Sequence, residues 1–160
     1  MRIHPIFTRT KDWTGDGRVD GVEALVEFQD QFGDPTKASG RLVFELYEYK
    51  PYEPDRRGDR ITNPWIGTLE SVGDQRDRWN RTSRTYSFPL QSDAVRASAS
   101  YVLMVTFEDA TGHRFFDQIV LEGNRDQPET APALTGVQEP SLDAAPTESQ
   151  QPAAPAPDQP

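Results

Sequence analysis

The sequence predicts an all-β fold, a sandwich of two sheets carrying one short helix, and three observations point there. Apolar and polar residues alternate along most of the first 123 residues, the period of a strand with one buried face. Clusters of Gly, Pro, Asn and Asp punctuate the alternating runs at short intervals. The runs are rich in aromatic and β-branched residues, and about seven of them fit into about 120 residues, the density of a two-sheet sandwich.

Taken in order, IHPIF is the first strand, and Pro5 confines it to a sheet edge because proline has no N–H and fits only where that position faces away from a neighbouring strand. In VEALVEFQ, Val22, Ala24, Val26 and Phe28 share one face and Glu23, Glu27 and Gln29 the other. RLVFELYEY repeats the pattern, with Leu42, Phe44 and Leu46 opposed to Glu45, Tyr47 and Tyr49. WIGTLES, RTYSFPL, SYVLMVTFED and HRFFDQIVLE follow, and the last two are joined by Asp109–Gly112, whose length and composition suit a hairpin with glycine at the left-handed position. GDQRDRWNR, residues 73–81, breaks the alternation. It reads as a short helix crossing between strands, with Asp74/Arg78 and Asp77/Arg81 at i,i+4 spacing and Trp79 against one end of the core.

Composition changes at Gly123. Residues 124–160 hold eight of the 14 prolines, no aromatic residue and only Arg125 as a base, too little apolar surface to offset the entropy of ordering. The expected organisation is a β-sandwich over 1–123 and a disordered, acidic, Pro/Ala-rich tail over 124–160.

Charge and residue usage narrow the function. A net charge of −9 disfavours nucleic acid and anionic lipid surfaces. With no cysteine there is no disulfide framework, thiolate nucleophile or sulfur-ligated zinc. No apolar run reaches the roughly 18 residues that span a bilayer as a helix, and the N-terminal residues lack the apolar core of a secretory signal. A strand predicted so close to Met1 raises the expectation of a trimmed form, which would place the chain in the periplasm or at the cell surface; without an upstream signal it would be cytoplasmic.

A resemblance rests on VEFQDQFGDPTKASGRLVF. Val26, Phe28, Asp30, Gly33, Pro35, Gly40, Leu42 and Phe44 resemble the strand, turn and strand of bacterial Ig-like and carboxypeptidase-regulatory-like β-sandwich modules. The resemblance covers about 20 residues. It implies an Ig-like, non-catalytic spacer or binding module, of the kind found in bacterial envelope proteins.

The stretch DWTGDGRVDGVE carries the chemistry. Counted from Asp12, it is similar to an EF-hand or dockerin loop: Asp12, Thr14, Asp16, Arg18, Asp20 and Glu23 fall at positions 1, 3, 5, 7, 9 and 12, with Gly17 at the sharp turn. A calcium ion takes oxygens at about 2.3–2.6 Å, so a loop of this length must wrap around it. In that reading Asp12, Asp16 and Glu23 are direct carboxylate ligands, and Thr14 is a hydroxyl or water-mediated one. Arg18 supplies its carbonyl, Asp20 acts through water, and Val19 anchors the loop to the core. The flanks are not helical, so Glu23 falls on the outer face of a strand and Asp12, Asp16 and Asp20 are the stronger ligands. The alternative is a metal-free Asp/Gly-rich turn.

Other motifs carry less. Arg57-Gly58-Asp59 lies in a charged run and reads as a solvated turn, and Asn80-Arg81-Thr82 is an N-x-T acceptor by chance. His4 and His113 are too few for a catalytic zinc site, and no G-x-S-x-G nucleophile turn occurs. Tyr47 and Tyr49, with Trp65, Tyr52 and Trp13 in reach, are candidate exposed aromatics that would stack on sugar rings or anchor a protein. The expected function is a non-catalytic structural or protein-interaction module, with one calcium ion in support. The alternative is a carbohydrate-binding module using Tyr47, Tyr49 and Trp65; a hydrolase built on paired carboxylates is the third class.

Overall fold

The chain enters the fold through a broken edge strand. In the computed structural model, which describes residues 1–123, β1 (Arg2–Ile3) and β2 (Arg9–Lys11) both pair antiparallel with the long β3 (Gly21–Gln29). The continuous strand expected over IHPIF is thus interrupted, and residues 4–8 turn away from the sheet. The break lies at His4 O, which accepts from Thr8 N at 3.1 Å across the Pro5 turn and so is not offered to Leu25 N. Side-chain and main-chain groups bridge the gap: His4 N donates to Leu25 O at 2.8 Å, and Leu25 N donates to the buried Thr8 hydroxyl at 3.0 Å.

Beyond β3 come β4 (Pro35–Thr36), β5 (Gly40–Tyr49), β6 (Arg57–Arg60) and β7 (Trp65–Thr68), then α1 (Val72–Arg78). The chain continues through β8 (Trp79–Asn80), β9 (Thr85–Gln91), β10 (Tyr101–Asp109) and β11 (Arg114–Leu121). One sheet has the order β1-β3-β9-β8, with β2 and β4 also on β3; the other has the order β11-β10-β5-β6, with β7 also on β5. Every pairing is antiparallel. The protein is therefore an all-β two-sheet sandwich. The long strands match the alternating runs of the sequence, and the extra ones are fragments of two to four residues.

The predicted inward faces meet between the sheets. Val22, Ala24, Val26 and Phe28 of β3 pack with Leu42, Phe44 and Leu46 of β5 and with Leu103, Val105 and Phe107 of β10. Phe28 and Phe107 meet edge to face at 4.6 Å between centroids, and Phe44 lies 4.8 Å from Phe88. The opposite face of β3 is less open than its carboxylates suggest, because Leu25 and Glu27 are also buried. Burial pushes the Glu27 carboxyl up, but the hydrogen bond from Gln29 and the Arg2 guanidinium outweigh it and hold the group below its ordinary range.

Helix α1 carries the chain from β7 in one sheet to β8 in the other, as expected, but stops at Arg78. Ser71 and Asp74 form a reciprocal capping box at its start, with hydrogen bonds of 3.0 and 3.1 Å. Asp74, expected to serve Arg78, is therefore used chiefly at the cap. Trp79 turns extended, joins β8, and packs edge to face on Tyr86 at 4.9 Å. Gln75 fixes the helix to the sandwich, donating to Ala38 O and Leu69 O and accepting from the Tyr86 hydroxyl. The hairpin between β10 and β11 turns at Gly112, with φ of 88°. There the Thr111 hydroxyl, aided by the main chain of His113 and Thr111, lowers the Asp109 carboxyl to about 2. The expected tail, residues 124–160, lies outside the described residues.

Candidate metal centre

The DWTGDGRVDGVE stretch folds as the connection between β2 and β3. Lys11 and Gly21 are paired at its base, and Asp20 N donates to Lys11 O at 2.9 Å, so the loop leaves and rejoins the sheet at one point. Gly15 and Gly17 have φ of 75° and 84° with nothing near an added Cβ. The demand at these positions is left-handed backbone, not space.

This course brings three carboxylates together. Ligand oxygens of Asp12, Asp16 and Asp20 all lie within 4.8 Å of one another, a group able to hold a metal ion. The loop's own N–H groups orient them. Gly15 N and Gly17 N donate to the two oxygens of Asp12 at 2.6 and 2.8 Å. Trp13 N and Thr14 N donate to Asp20 Oδ2 at 2.7 and 2.9 Å, and Arg18 N donates to Asp16 Oδ1 at 2.8 Å. The Gly15 bond leads in lowering the Asp12 carboxyl below its ordinary range, against a smaller desolvation effect and with further help from Gly17 and Thr14. A carboxylate oxygen offers two lone pairs; two N–H bonds fill Asp20 Oδ2, but Asp20 Oδ1 takes none, and Asp12 Oδ2 and Asp16 Oδ1 take one each, which leaves room for a cation. Without one, each pair of carboxylates about 4 Å apart repels by about 1 kcal/mol in water and more where screening is poorer.

The remaining predicted ligands divide. The Thr14 hydroxyl lies 3.2 Å from Asp12 Oδ1 and 3.5 Å from Asp20 Oδ1, between the carboxylates it was expected to join. Arg18 stands in the loop, held through its N–H. Asp20 stands in the cluster with Asp12 and Asp16. Glu23 is not brought in. It pairs with Arg9 across the sheet, and its carboxylate takes Lys11 Nζ at 2.7 Å and the Ser87 hydroxyl at 3.2 Å. The cause is strand geometry: β3 begins at Gly21, and alternation turns Glu23 toward Lys11 and Ser87. Val19 packs against the core as expected.

The predicted aromatic platform separates. Tyr47 and Tyr49 lie on the outer face of β5, half-buried, and the Arg57 guanidinium covers the Tyr47 ring at 5.3 Å from its centroid. Burial first, then Glu45, pushes the Tyr47 hydroxyl up. Trp65 pairs with the inward Phe44, packs against the core and donates its indole N–H to Gln91 O at 3.0 Å, bridging the sheets. Tyr47 and Tyr49 thus share a face of β5, and Trp65 stands apart from them. Arg57-Gly58-Asp59, read as a turn, instead forms β6, with Arg57 held by Asp55 at 2.6 Å. A feature invisible in the sequence is an open cleft of about 560 Å³ between Tyr49, Asp59, Arg60 and Tyr101, assembled from three separate segments.

Compared with family models, curated proteins and solved structures, the chain matches none.

Proposed function

We propose that this chain is a non-catalytic, Ig-like structural or interaction module whose first long loop binds calcium through Asp12, Asp16 and Asp20. The observation that carries the metal reading is the convergence of those three carboxylates within 4.8 Å on one loop. Hard oxygen donors without histidine or cysteine suit calcium over zinc. The ion would tie the start of β3 to the short edge strand β2, a structural role. The Thr14 hydroxyl and main-chain carbonyls would fill out the oxygen shell.

The strand order supports the Ig-like part. Taking β1, β3, β9 and β8 as A, B, E and D, and β11, β10 and β5 as G, F and C, gives the ABED and GFC sheets of that architecture. A second support is Tyr101 at the start of the F-equivalent strand: its hydroxyl accepts from Arg96 N at 2.7 Å, as in a tyrosine corner. The test of the metal reading is terbium luminescence sensitised by Trp13, with thermal melts in calcium and in chelator. Binding and a raised melting temperature, both lost in Asp16→Ala, are expected. Absence of both sinks the metal reading and leaves the module reading to be judged on its fold.

A further inference from the structure

Strand β11 lies at the margin of its sheet, and its eight residues form a long ladder on one side only, with β10. Among the described residues no strand pairs with its other side, whereas the strands at the remaining sheet margins have only two to four residues. Strand β1 of the opposite sheet meets β11 through a side chain, Ile3 N donating to the Asp117 carboxylate at 2.7 Å. That contact does not use the main-chain groups of the margin. A margin of this length is a template for another strand, and here it bears Phe115 and Phe116, the latter 80% exposed.

We propose that β11 pairs antiparallel with β11 of a second copy of this chain, about a two-fold axis at Gln118. A two-fold axis normal to the sheet keeps each side chain on its own face, so only residues of equal parity can oppose one another. Centred on Gln118, the outer face sets Arg114 against Glu122 of the second copy and Phe116 against its Val120, and each contact occurs twice. The inner face sets Phe115 against Leu121 and Asp117 against Ile119. The whole strand is used, the exposed Phe116 gains an apolar neighbour, and opposite charges meet at both ends. Neighbouring registers are worse. An axis at Asp117 puts two carboxylates face to face, and one at Phe116 shortens the overlap and sets Arg114 against Gln118. On its own sheet Phe116 already continues a row through Thr106 and Val43 to Ile66, so pairing extends an existing apolar stripe. The inference stands on the sheet margin alone, independent of the calcium loop.

Sedimentation equilibrium of the full chain over a concentration series tests it. The expected result is a monomer–dimer equilibrium. Arg114→Glu and Glu122→Arg should each weaken it by about tenfold, since two opposite pairs become like pairs, and the double swap should restore it. Circular dichroism checks that each variant is folded. A monomer at every concentration would overturn the pairing, as would a dimer indifferent to the single reversals or one that the double swap fails to restore.

Discussion

Thr8→Val isolates one hydrogen bond that the broken edge strand depends on. The residue is 4% exposed, and valine matches threonine closely in shape, so no cavity term enters. What is lost is the acceptor for Leu25 N at 3.0 Å. Leu25 O keeps its donor in His4 N at 2.8 Å, and the Thr8 contact to it at 3.4 Å is long, so the loss reduces to one orphaned, buried N–H. Leaving such a group unpaired costs about 1–3 kcal/mol, taken here as about 2. For a domain of this size that is a drop of roughly 5–10 °C in melting temperature. Urea unfolding with an unchanged m-value, beside a thermal scan, measures it. Thr8→Ser keeps the hydroxyl and should lose under about 1 kcal/mol. A Thr8→Val protein within about 0.5 kcal/mol of the parent would refute the claim that the hydroxyl stands in for His4 O, which the Thr8 N–H takes out of the ladder.

Tyr101→Phe removes the acceptor for Arg96 N at 2.7 Å and should cost about 1 kcal/mol in the same urea assay. Gly67→Ala would place a methyl 2.5 Å from the Phe88 ring and 3.3 Å from Phe44, so the core must shift; a loss of about 1–3 kcal/mol is expected, and a neutral variant would contradict the tight approach of β7. Asp109 has a folded pKa lowered from 3.8 to about 2. Its contribution to stability is therefore present above about pH 4 and lost as the pH falls toward 2. Carbon-detected titration of this carboxyl should give a midpoint near 2, and a midpoint near 4 would remove the hairpin bonds from the account.

How much of this was legible in the sequence follows from the range of the interactions. Alternation in VEALVEFQ and RLVFELYEY specified the two facing strands and most of the core, because period-two burial is written in consecutive residues. The break at Pro5 was half legible. A proline inside a short run was visible as an edge-strand signal, but the Thr8 side chain that bridges to Leu25 depends on how two strands align. The same limit governs the site. Asp12, Asp16 and Asp20 cluster as their spacing in a glycine-turned loop implied, whereas Glu23 follows the register of β3 toward Lys11 and Ser87. Trp65 was misread for a related reason: its neighbour across the sheet is the inward Phe44, a fact of pairing that the four-residue run WIGT does not contain. Tyr101 stood at the head of an alternating run all along, but its partner at Arg96 appears only once the preceding turn is folded.

The most direct measurement is a calcium titration of the parent chain beside Asp16→Ala and Glu23→Gln, read by terbium luminescence through Trp13 and by displacement with calcium. The account predicts saturable binding in the parent, loss in Asp16→Ala, and affinity in Glu23→Gln within about threefold of the parent, since Glu23 is held by Lys11 outside the carboxylate cluster. Binding that vanishes in Glu23→Gln would contradict the three-aspartate centre. No binding by the parent at millimolar calcium, the weak end of protein calcium sites, would contradict the centre altogether.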